Sequence, residues 1–128
     1  MKFEQLISSM MKISVSARLW HWMTGVAQHH VSFEQFLTQN QILTDSLMES
    51  ALGNDYQLNL EDVGVQNAIQ KNYSIESVTG EIKNYRQLIL ESKNHFENSD
   101  KNGAQELVTI LDDVVELCSK TIYLLKLK

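Results

Sequence analysis

The 128-residue sequence predicts an all-α fold, and three observations lead to this class. The chain has no proline and only five glycines, so it lacks the turn residues that a protein of many short strands requires. Hydrophobic residues make up 43% of the chain, and they recur at intervals of three and four along four segments. Polar stretches separate these segments. We therefore predict one domain, residues 1–128, built as a four-helix bundle.

The first helix is predicted over residues 3–23, where apolar side chains recur with helical spacing. His21 follows Trp20 near the end of this segment, and Thr24-Gly25 then breaks the pattern. A single histidine beside an aromatic residue is more often a core or boundary residue than a ligand, so His21 becomes a candidate ligand only together with residues further along. The apolar positions are Phe3, Leu6, Ile7, Met10, Ile13, Ala17 and Trp20.

The second helix is predicted to begin just after His30, because Ser32 and Gln35 have the spacing of a capping box. This start leaves His30 on the last residues of the preceding loop. The helix is predicted to end at Gly53, a residue suited to the left-handed position that follows a helix. Its apolar positions are Phe33, Phe36, Leu37, Leu43, Leu47 and Ala51.

Two further helices follow a more polar stretch, residues 54–73. This stretch is predicted to be either a short helix or a plain crossover loop. Apolar residues then define a third helix from Ile75 to Phe96 and a fourth from Leu107 to Leu125, with a turn-rich break at 97–103. Two helices, a long connection and two more helices predict a ferritin-like four-helix bundle, whose long crossover makes the second and third helices parallel. The residues able to anchor a short helix in the crossover are Leu58, Leu60, Val63 and Ile69.

Four residues of metal-binding type share one face of the second helix if residues 30–52 are helical. Glu34, Asp45 and Glu49 lie roughly 40°, 60° and 100° around the axis from His30. Glu34 and Asp45 are nevertheless about 16 Å apart along the axis, whereas ligands of a shared ion form bonds of ~2 Å. One copy of this helix therefore cannot complete one site.

The same residues are arranged symmetrically along the helix. The pair His30 and Glu49 and the pair Glu34 and Asp45 share one midpoint, between positions 39 and 40. A second copy packed antiparallel would bring His30 and Glu34 opposite Asp45 and Glu49, which gives two equivalent sites. The plain alternative is a solvated acidic helix face, and the mirrored spacing argues against it.

This spacing resembles that of the Dps proteins, or mini-ferritins, whose ferroxidase centre lies between two subunits. The family has a His-Trp pair ending the first helix, then on the second helix a His, a carboxylate four residues later, an Asp fifteen later and a Glu nineteen later. The matching residues here are His21-Trp22, His30, Glu34, Asp45 and Glu49. The chain departs from the pattern twice: its two histidines are nine positions apart where the family usually has twelve, and Glu34 stands where Asp is usual.

The resemblance implies an iron-binding ferroxidase that stores or detoxifies iron and so protects against oxidative stress. Fe(II) would be oxidised by peroxide or oxygen at a di-iron site shared between two chains. His21 and His30 would be neutral imidazole ligands, the three carboxylates would be anionic ligands that can bridge two ions, and Trp22 would be a nearby oxidisable side chain. The resemblance also implies a homo-oligomer with a two-fold interface along the second helix, usually a shell of twelve subunits.

Two other interpretations remain. A non-catalytic helical assembly protein, such as a virion or scaffold component, could keep the fold without iron oxidation, and the short spacing after His21 favours it. A di-iron enzyme with its site inside one bundle would need a Glu-x-x-His motif on two helices. This chain has none, because Glu91 and His95 are four positions apart. His29 is a weaker candidate ligand, since Phe33 rather than a carboxylate lies four residues after it.

Charge and cysteine content bear on partners and compartment. The net charge is −5, and non-specific DNA affinity depends on Lys and Arg displacing counterions, so we do not expect direct DNA binding. The basic tail of many Dps relatives is not matched here, where only Lys126 and Lys128 close the chain. The single Cys118 excludes an internal disulfide, and its spacing predicts a buried thiol. With no run of 18 apolar residues, we expect a cytoplasmic protein, whether cellular or carried by a virus, without a membrane segment.

Overall fold

The computed structural model describes residues 2–64 and 73–127. Within these ranges the regular elements are four α-helices and one short 3-10 helix, and no strand is present, which confirms the all-α prediction. No helix in the described ranges is long and apolar enough to cross a membrane. The α-helices are α1 (Phe3–Met23), α2 (Ala27–Gly53), α3 (Ile75–Glu97) and α4 (Ala104–Lys126).

The core is built from residues that alternate three and four positions apart on every helix, the spacing that keeps one stripe of a helix turned toward its neighbours. The first helix has the predicted bounds. Its buried stripe includes Leu6, Met10, Ile13, Ala17 and Trp20. The other helices contribute Phe33, Leu37, Leu47 and Ala51 from α2, Val78, Ile82, Tyr85, Ile89 and Phe96 from α3, and Leu107, Leu111, Val114, Cys118 and Leu125 from α4.

The start of α2 differs from the prediction. The helix begins at Ala27, and the predicted capping box is wrong because the Ser32 hydroxyl donates to the carbonyl oxygen of Gln28 at 3.0 Å, inside the helix. Serine in a helix interior commonly bonds back to the carbonyl four residues earlier. The turn before α2 uses another hydroxyl, since Thr24 Oγ1 accepts from the backbone N–H of Val26. The histidine at position 30 therefore lies on the helix and not in the loop.

The end of α2 also differs in detail. Gly53 is the last helical residue, and the left-handed conformation falls two residues later on Asp55, with φ of 64°. The prediction of this conformation for Gly53 is therefore wrong. Asp55 tolerates it because a short polar side chain can bond locally to the backbone. Asn54 closes the helix, because its side-chain amide donates to the carbonyl oxygen of Ser50 at 2.8 Å and to the carboxylate of Glu106 at 3.0 Å.

Neighbouring helices run antiparallel. The end of α2 contacts the start of α4, where the Ser50 hydroxyl donates to Glu106 at 2.7 Å. The α3 and α4 helices are joined by Lys93 and Asp112, with Nζ and Oδ1 2.7 Å apart, and by a bond from Arg86 to Ser119 further along. Arg86 precedes Lys93 on α3, whereas its partner Ser119 follows Asp112 on α4, so these two helices run in opposite directions. The α2 helix thus lies between α1 and α4, and α4 lies between α2 and α3.

The described part of the connection from α2 to α3 contains the 3-10 helix Leu60–Asp62. Asn59 begins it, because its side-chain oxygen accepts from the backbone N–H of Glu61 at 3.1 Å. The backbone N–H of Asn59 donates to the Glu4 carboxylate at 2.8 Å, and this bond lowers the pKa of Glu4. The connection is therefore fixed to the start of α1. Ile69, a predicted anchor of a short helix, lies outside the described residues.

Candidate metal site

The corner between α1 and α2 brings His21 and His30 into contact. Only residues 24–26 separate the two helices, so the end of α1 and the start of α2 lie side by side. The two imidazole rings stack, with centroids 3.7 Å apart and an angle of 26° between their planes. Two of the predicted ligands, from two different helices, are thus neighbours.

Each histidine of this pair bonds to the backbone of the other. Nδ1 of His21 lies 3.0 Å from the carbonyl oxygen of His30, and Nδ1 of His30 lies 2.9 Å from the carbonyl oxygen of His21. Because a carbonyl oxygen only accepts, each Nδ1 must carry the hydrogen and donate it. In the neutral rings both Nε2 atoms then carry a lone pair, which is the form that binds a metal ion.

Glu34 lies beside His21 at this corner. Its Oε2 lies 3.5 Å from Nε2 of His21. When His21 is neutral, two lone pairs face each other across this distance, and either a proton on Nε2 or a cation between the two atoms is needed to make the contact favourable. Two ligands that each bind one ion at ~2.1 Å and at about a right angle are roughly 3 Å apart, close to the separation here.

The group is accessible from solvent, although its members differ in exposure. The His21 side chain is 14% exposed and the Glu34 side chain 49%. Trp22, predicted as an oxidisable neighbour, is 67% exposed. The histidine is therefore held by its surroundings, while its carboxylate partner can move and small ions can reach both.

The two remaining predicted ligands lie elsewhere on α2. Asp45 and Glu49 are exposed and lie on the same outer stripe of the helix as Glu34, as the sequence spacing predicts. With about 1.5 Å rise per residue, Asp45 is about 16 Å along the axis from Glu34. Within one chain, the described residues include no group of three or more His, Cys, Asp or Glu side chains placed to hold a metal ion. The corner residues of one chain alone therefore do not form a metal-binding group.

The surface between the two ends of this stripe is uncharged on α2, where the exposed residues are Thr38, Gln41 and Ile42. On α1 it includes Met11 and Val15, which are about 40% exposed, and the partly exposed Arg18, seven residues after Met11 on the same stripe. A cleft between the helices runs through it, lined by Met11, Ser14, Val15, Gln41, Thr44 and Asp45. We call this surface the α1–α2 face. It has the histidine group at one end and Asp45 with Glu49 at the other.

A buried polar group that the sequence analysis missed lies beneath the middle of the α1–α2 face. Asn40 is fully buried, and its amide donates to the carbonyl oxygen of Met10 at 2.9 Å and to the Ser14 hydroxyl at 2.7 Å. Its side-chain oxygen accepts from the Tyr85 hydroxyl at 2.6 Å. The signal in the sequence was a polar residue at a position where the spacing of α2 demands an apolar one.

The bundle interior contains no ligand set of its own in the described ranges. Its buried polar side chains there are serines, threonines and Asn40, with no buried carboxylate among them. The predicted burial of Cys118 is confirmed, and burial raises the pKa of its thiol to about 12. His95 is exposed and packs edge-on against Phe96. The candidate chemistry is therefore concentrated at the α1–α2 corner.

The fold and this site define an all-helical, four-helix protein with a stacked histidine pair and an acidic neighbour at one corner. Comparison of the chain with protein-family models, with curated proteins and with solved structures found no match. Any assignment of activity therefore depends on the geometry of His21, His30 and Glu34 and on the Dps-like spacing of the residues around them.

Proposed function

We propose that the protein is a ferroxidase of the Dps type, which oxidises Fe(II) at a di-iron site shared between two copies of the chain. One copy supplies His21, His30 and Glu34, and the other supplies Asp45 and Glu49. Iron is the substrate and, as ferric product, the material that is stored or detoxified.

One observation carries this proposal. Nε2 of His21 and Oε2 of Glu34 lie 3.5 Å apart at a corner where the Nδ1 hydrogen of His21 is already committed to a carbonyl oxygen. A divalent cation between the two atoms replaces the repulsion between their lone pairs by attraction to the ion. A neutral imidazole nitrogen combined with carboxylate oxygens suits ions of the iron and zinc type. A backbone carbonyl that fixes the second ring nitrogen is also the usual support of a histidine ligand.

The α1–α2 face supports the sharing of the site between copies. On α2 this face has a neutral centre between a histidine end and an acidic end, so antiparallel pairing of two copies places unlike ends together at both edges. Thr38 and Gln41, two neutral polar residues of this centre, are related by the same midpoint that relates the two ends. Pairing also covers the exposed apolar side chains of Met11, Val15 and Ile42.

The ferritin-like connectivity belongs to the same proposal. The contacts of the described helices favour it, because α1 and α2, α2 and α4, and α4 and α3 all pair antiparallel, and this makes α2 and α3 run in the same direction. Helices that run in the same direction need a long connection between them, and residues 54–74 between α2 and α3 are numerous enough to provide it.

Each proposed ligand has a defined task. The two imidazoles bind as neutral donors, and the carboxylates lower the charge of the pair of cations and favour the ferric state. Each Fe(II) gives up one electron, and one peroxide molecule takes two electrons and two protons to form two water molecules. The exposed indole of Trp22, beside His21 in the chain, can be oxidised in place of more distant groups.

Loss of single ligands tests the proposal. Fe(II) oxidation by peroxide, followed by the absorbance of the ferric product, should fall by at least tenfold in His21→Ala and in Glu34→Ala, because each removes a proposed ligand, and the exposed Glu34 does so without the ring contacts that His21 also makes. The matched control is His95→Ala, an exposed histidine in the last turn of α3, which should keep the wild-type rate. A wild-type protein that oxidises Fe(II) no faster than buffer would refute the proposal.

A second candidate is a non-catalytic assembly protein, and one observation favours it. His21 lies in the last turn of α1, where carbonyl groups lack helical partners, and His30 donates to its carbonyl oxygen. The histidine pair can therefore serve to hold the corner between α1 and α2 without any metal. In that case protein prepared in iron-supplemented medium should contain no iron above the level of the His21→Ala variant.

A further inference from the structure

The apolar stripes of α1 and α2 leave their alignment along the axis underdetermined. Both stripes alternate four and three residues, so a shift of α1 along α2 by one turn again places buried apolar residues against each other. Stripes of this kind specify that two helices pack but specify their register weakly. The positions are Leu6, Met10, Ile13, Ala17 and Trp20 on α1, and Phe33, Leu37, Asn40, Thr44, Leu47 and Ala51 on α2.

Asn40 distinguishes the observed register of α1 and α2 from the shifted ones. It is the residue of the α2 stripe whose side chain bonds to other helices, to Met10 and Ser14 of α1 and to Tyr85 of α3. Both hydrogens and the oxygen of its amide have partners within 2.9 Å. Thr44, the other polar residue of the stripe, bonds only within α2, to the carbonyl oxygen of Asn40. A shift of α1 would take Met10 and Ser14 away from the two amide hydrogens of Asn40, and leaving buried donors without acceptors is costly.

The same register brings the histidines together. Three contacts belong to one antiparallel register of α1 and α2: Met10 with Asn40, Trp20 with Phe33, and His21 with His30. One helical turn is about 5.4 Å. A shift of that size would break both Nδ1 contacts of the histidine pair, which are 2.9 and 3.0 Å long.

We infer that Asn40 is a positioning residue for the candidate site: its bonds to Met10 and Ser14 set the register of α1 on α2, and this register holds His21 and His30 as Nδ1–H tautomers with Nε2 free for a ligand. The role acts over roughly 15 Å of helix, ten residues from Asn40 to His30. The effect on the histidine pair stands without metal. The further statement that Asn40 governs metal affinity rests on the proposed function.

The test replaces the polar layer by an apolar one of similar volume, in a variant that combines Asn40→Leu, Ser14→Ala and Tyr85→Phe. Removing all partners together avoids orphaned buried groups, so the midpoint of urea unfolding should be unchanged or higher. Nitrogen-15 NMR of the histidine side chains, recorded without metal, should show two Nδ1–H tautomers in the wild type and a mixture of tautomers at His21 and His30 in the variant. If Asn40 only stabilised the fold, the variant would unfold at a lower urea concentration and both histidines would keep their Nδ1–H tautomers.

Thr44→Val is the matched control, because it removes a buried hydroxyl from the same helix without touching a bond between helices. Both Nδ1–H signals should remain, and their loss would show that any change in this core loosens the pair. If the apolar variant does not fold, Asn40→Ser decides, since its shorter side chain cannot replace the bonds to Met10 and Ser14. Retention of both Nδ1–H tautomers in the apolar variant, or in Asn40→Ser, overturns the inference.

Titration with Co²⁺ separates this inference from the proposed function. The apolar variant should bind Co²⁺ at least tenfold more weakly than the wild type, while Thr44→Val binds it equally well. If the wild type binds no Co²⁺ and oxidises no Fe(II), the proposed function fails, and the tautomer measurement still decides the role of Asn40. If the wild type and the apolar variant bind Co²⁺ equally, the positioning role in metal binding is wrong even though the site exists.

Discussion

The imidazole of His30 donates from Nδ1 to the carbonyl oxygen of His21, so one side chain both closes the end of α1 and leaves its own Nε2 free. His21 makes the reciprocal bond. A structural role and a ligand role are therefore compatible in the same pair, and removal of one ring affects both. Experiments on this corner must separate loss of a ligand from loss of the turn.

The size of the protein in solution is the first prediction. Because the proposed site takes carboxylates from another copy, we expect at least a dimer at working concentrations, and a cage near twelve subunits if the Dps arrangement is kept. Light scattering measures this directly. A monomer of 14.7 kDa would rule out the shared site.

Complementation between two inactive variants tests which chain supplies which ligand. His30→Ala and Glu49→Ala should each lose Fe(II) oxidation. In a dimer of one chain of each kind, one site has both changes and the other has neither. Random pairing makes about half of all dimers mixed, so co-refolding should restore roughly a quarter of the wild-type activity.

The control for complementation mixes His30→Ala with His21→Ala, two changes on the same side of the site. Every site of the mixed dimer then lacks one histidine, and no activity should return. If the first mixture also stays inactive, with mixed dimers confirmed by native mass spectrometry, the site does not combine these residues from two chains.

The reactivity of Cys118 is the third prediction. Burial raises the pKa of its thiol to about 12 from the ordinary 9.0, and only the thiolate reacts readily. Iodoacetamide at pH 8 should therefore modify the folded protein far more slowly than the unfolded chain, as followed by mass spectrometry. Equal rates in the two states would contradict the buried environment.

The same pKa predicts a loss of stability in alkali. Above pH 9.0 the unfolded chain releases the thiol proton while the folded chain keeps it, so the free energy of unfolding falls as pH rises from 9 toward 12. Urea unfolding at pH 8 and pH 10 should show this fall, and Cys118→Ala should reduce it. Tyr85 contributes in the same direction, because burial raises the pKa of its hydroxyl well above 10.0.

Direct DNA binding is expected to be absent at physiological salt. The chain carries a net charge of −5, which opposes association with a phosphate backbone. A gel-shift experiment at about 150 mM salt should show free DNA only. A stable complex under these conditions would show that local positive charge outweighs the net charge.

The sequence by itself determined the helical class, the bounds of α1 and most of the buried stripes, because burial at intervals of three and four depends on residues close together in the chain. It also placed Glu34, Asp45 and Glu49 on one exposed stripe, since positions on one helix follow from its pitch alone. The ligand roles of these residues stay a prediction.

Only the tertiary structure decided the features that depend on contacts between helices. The start of α2 follows from a turn in which the Thr24 hydroxyl, and not that of Ser32, accepts a backbone N–H. The left-handed residue after α2 is Asp55 and not Gly53. The pairing of His21 with His30, and the Asn40 bonds that align their helices, join residues nine or more positions apart, and local spacing cannot report which distant groups satisfy a buried amide or an imidazole.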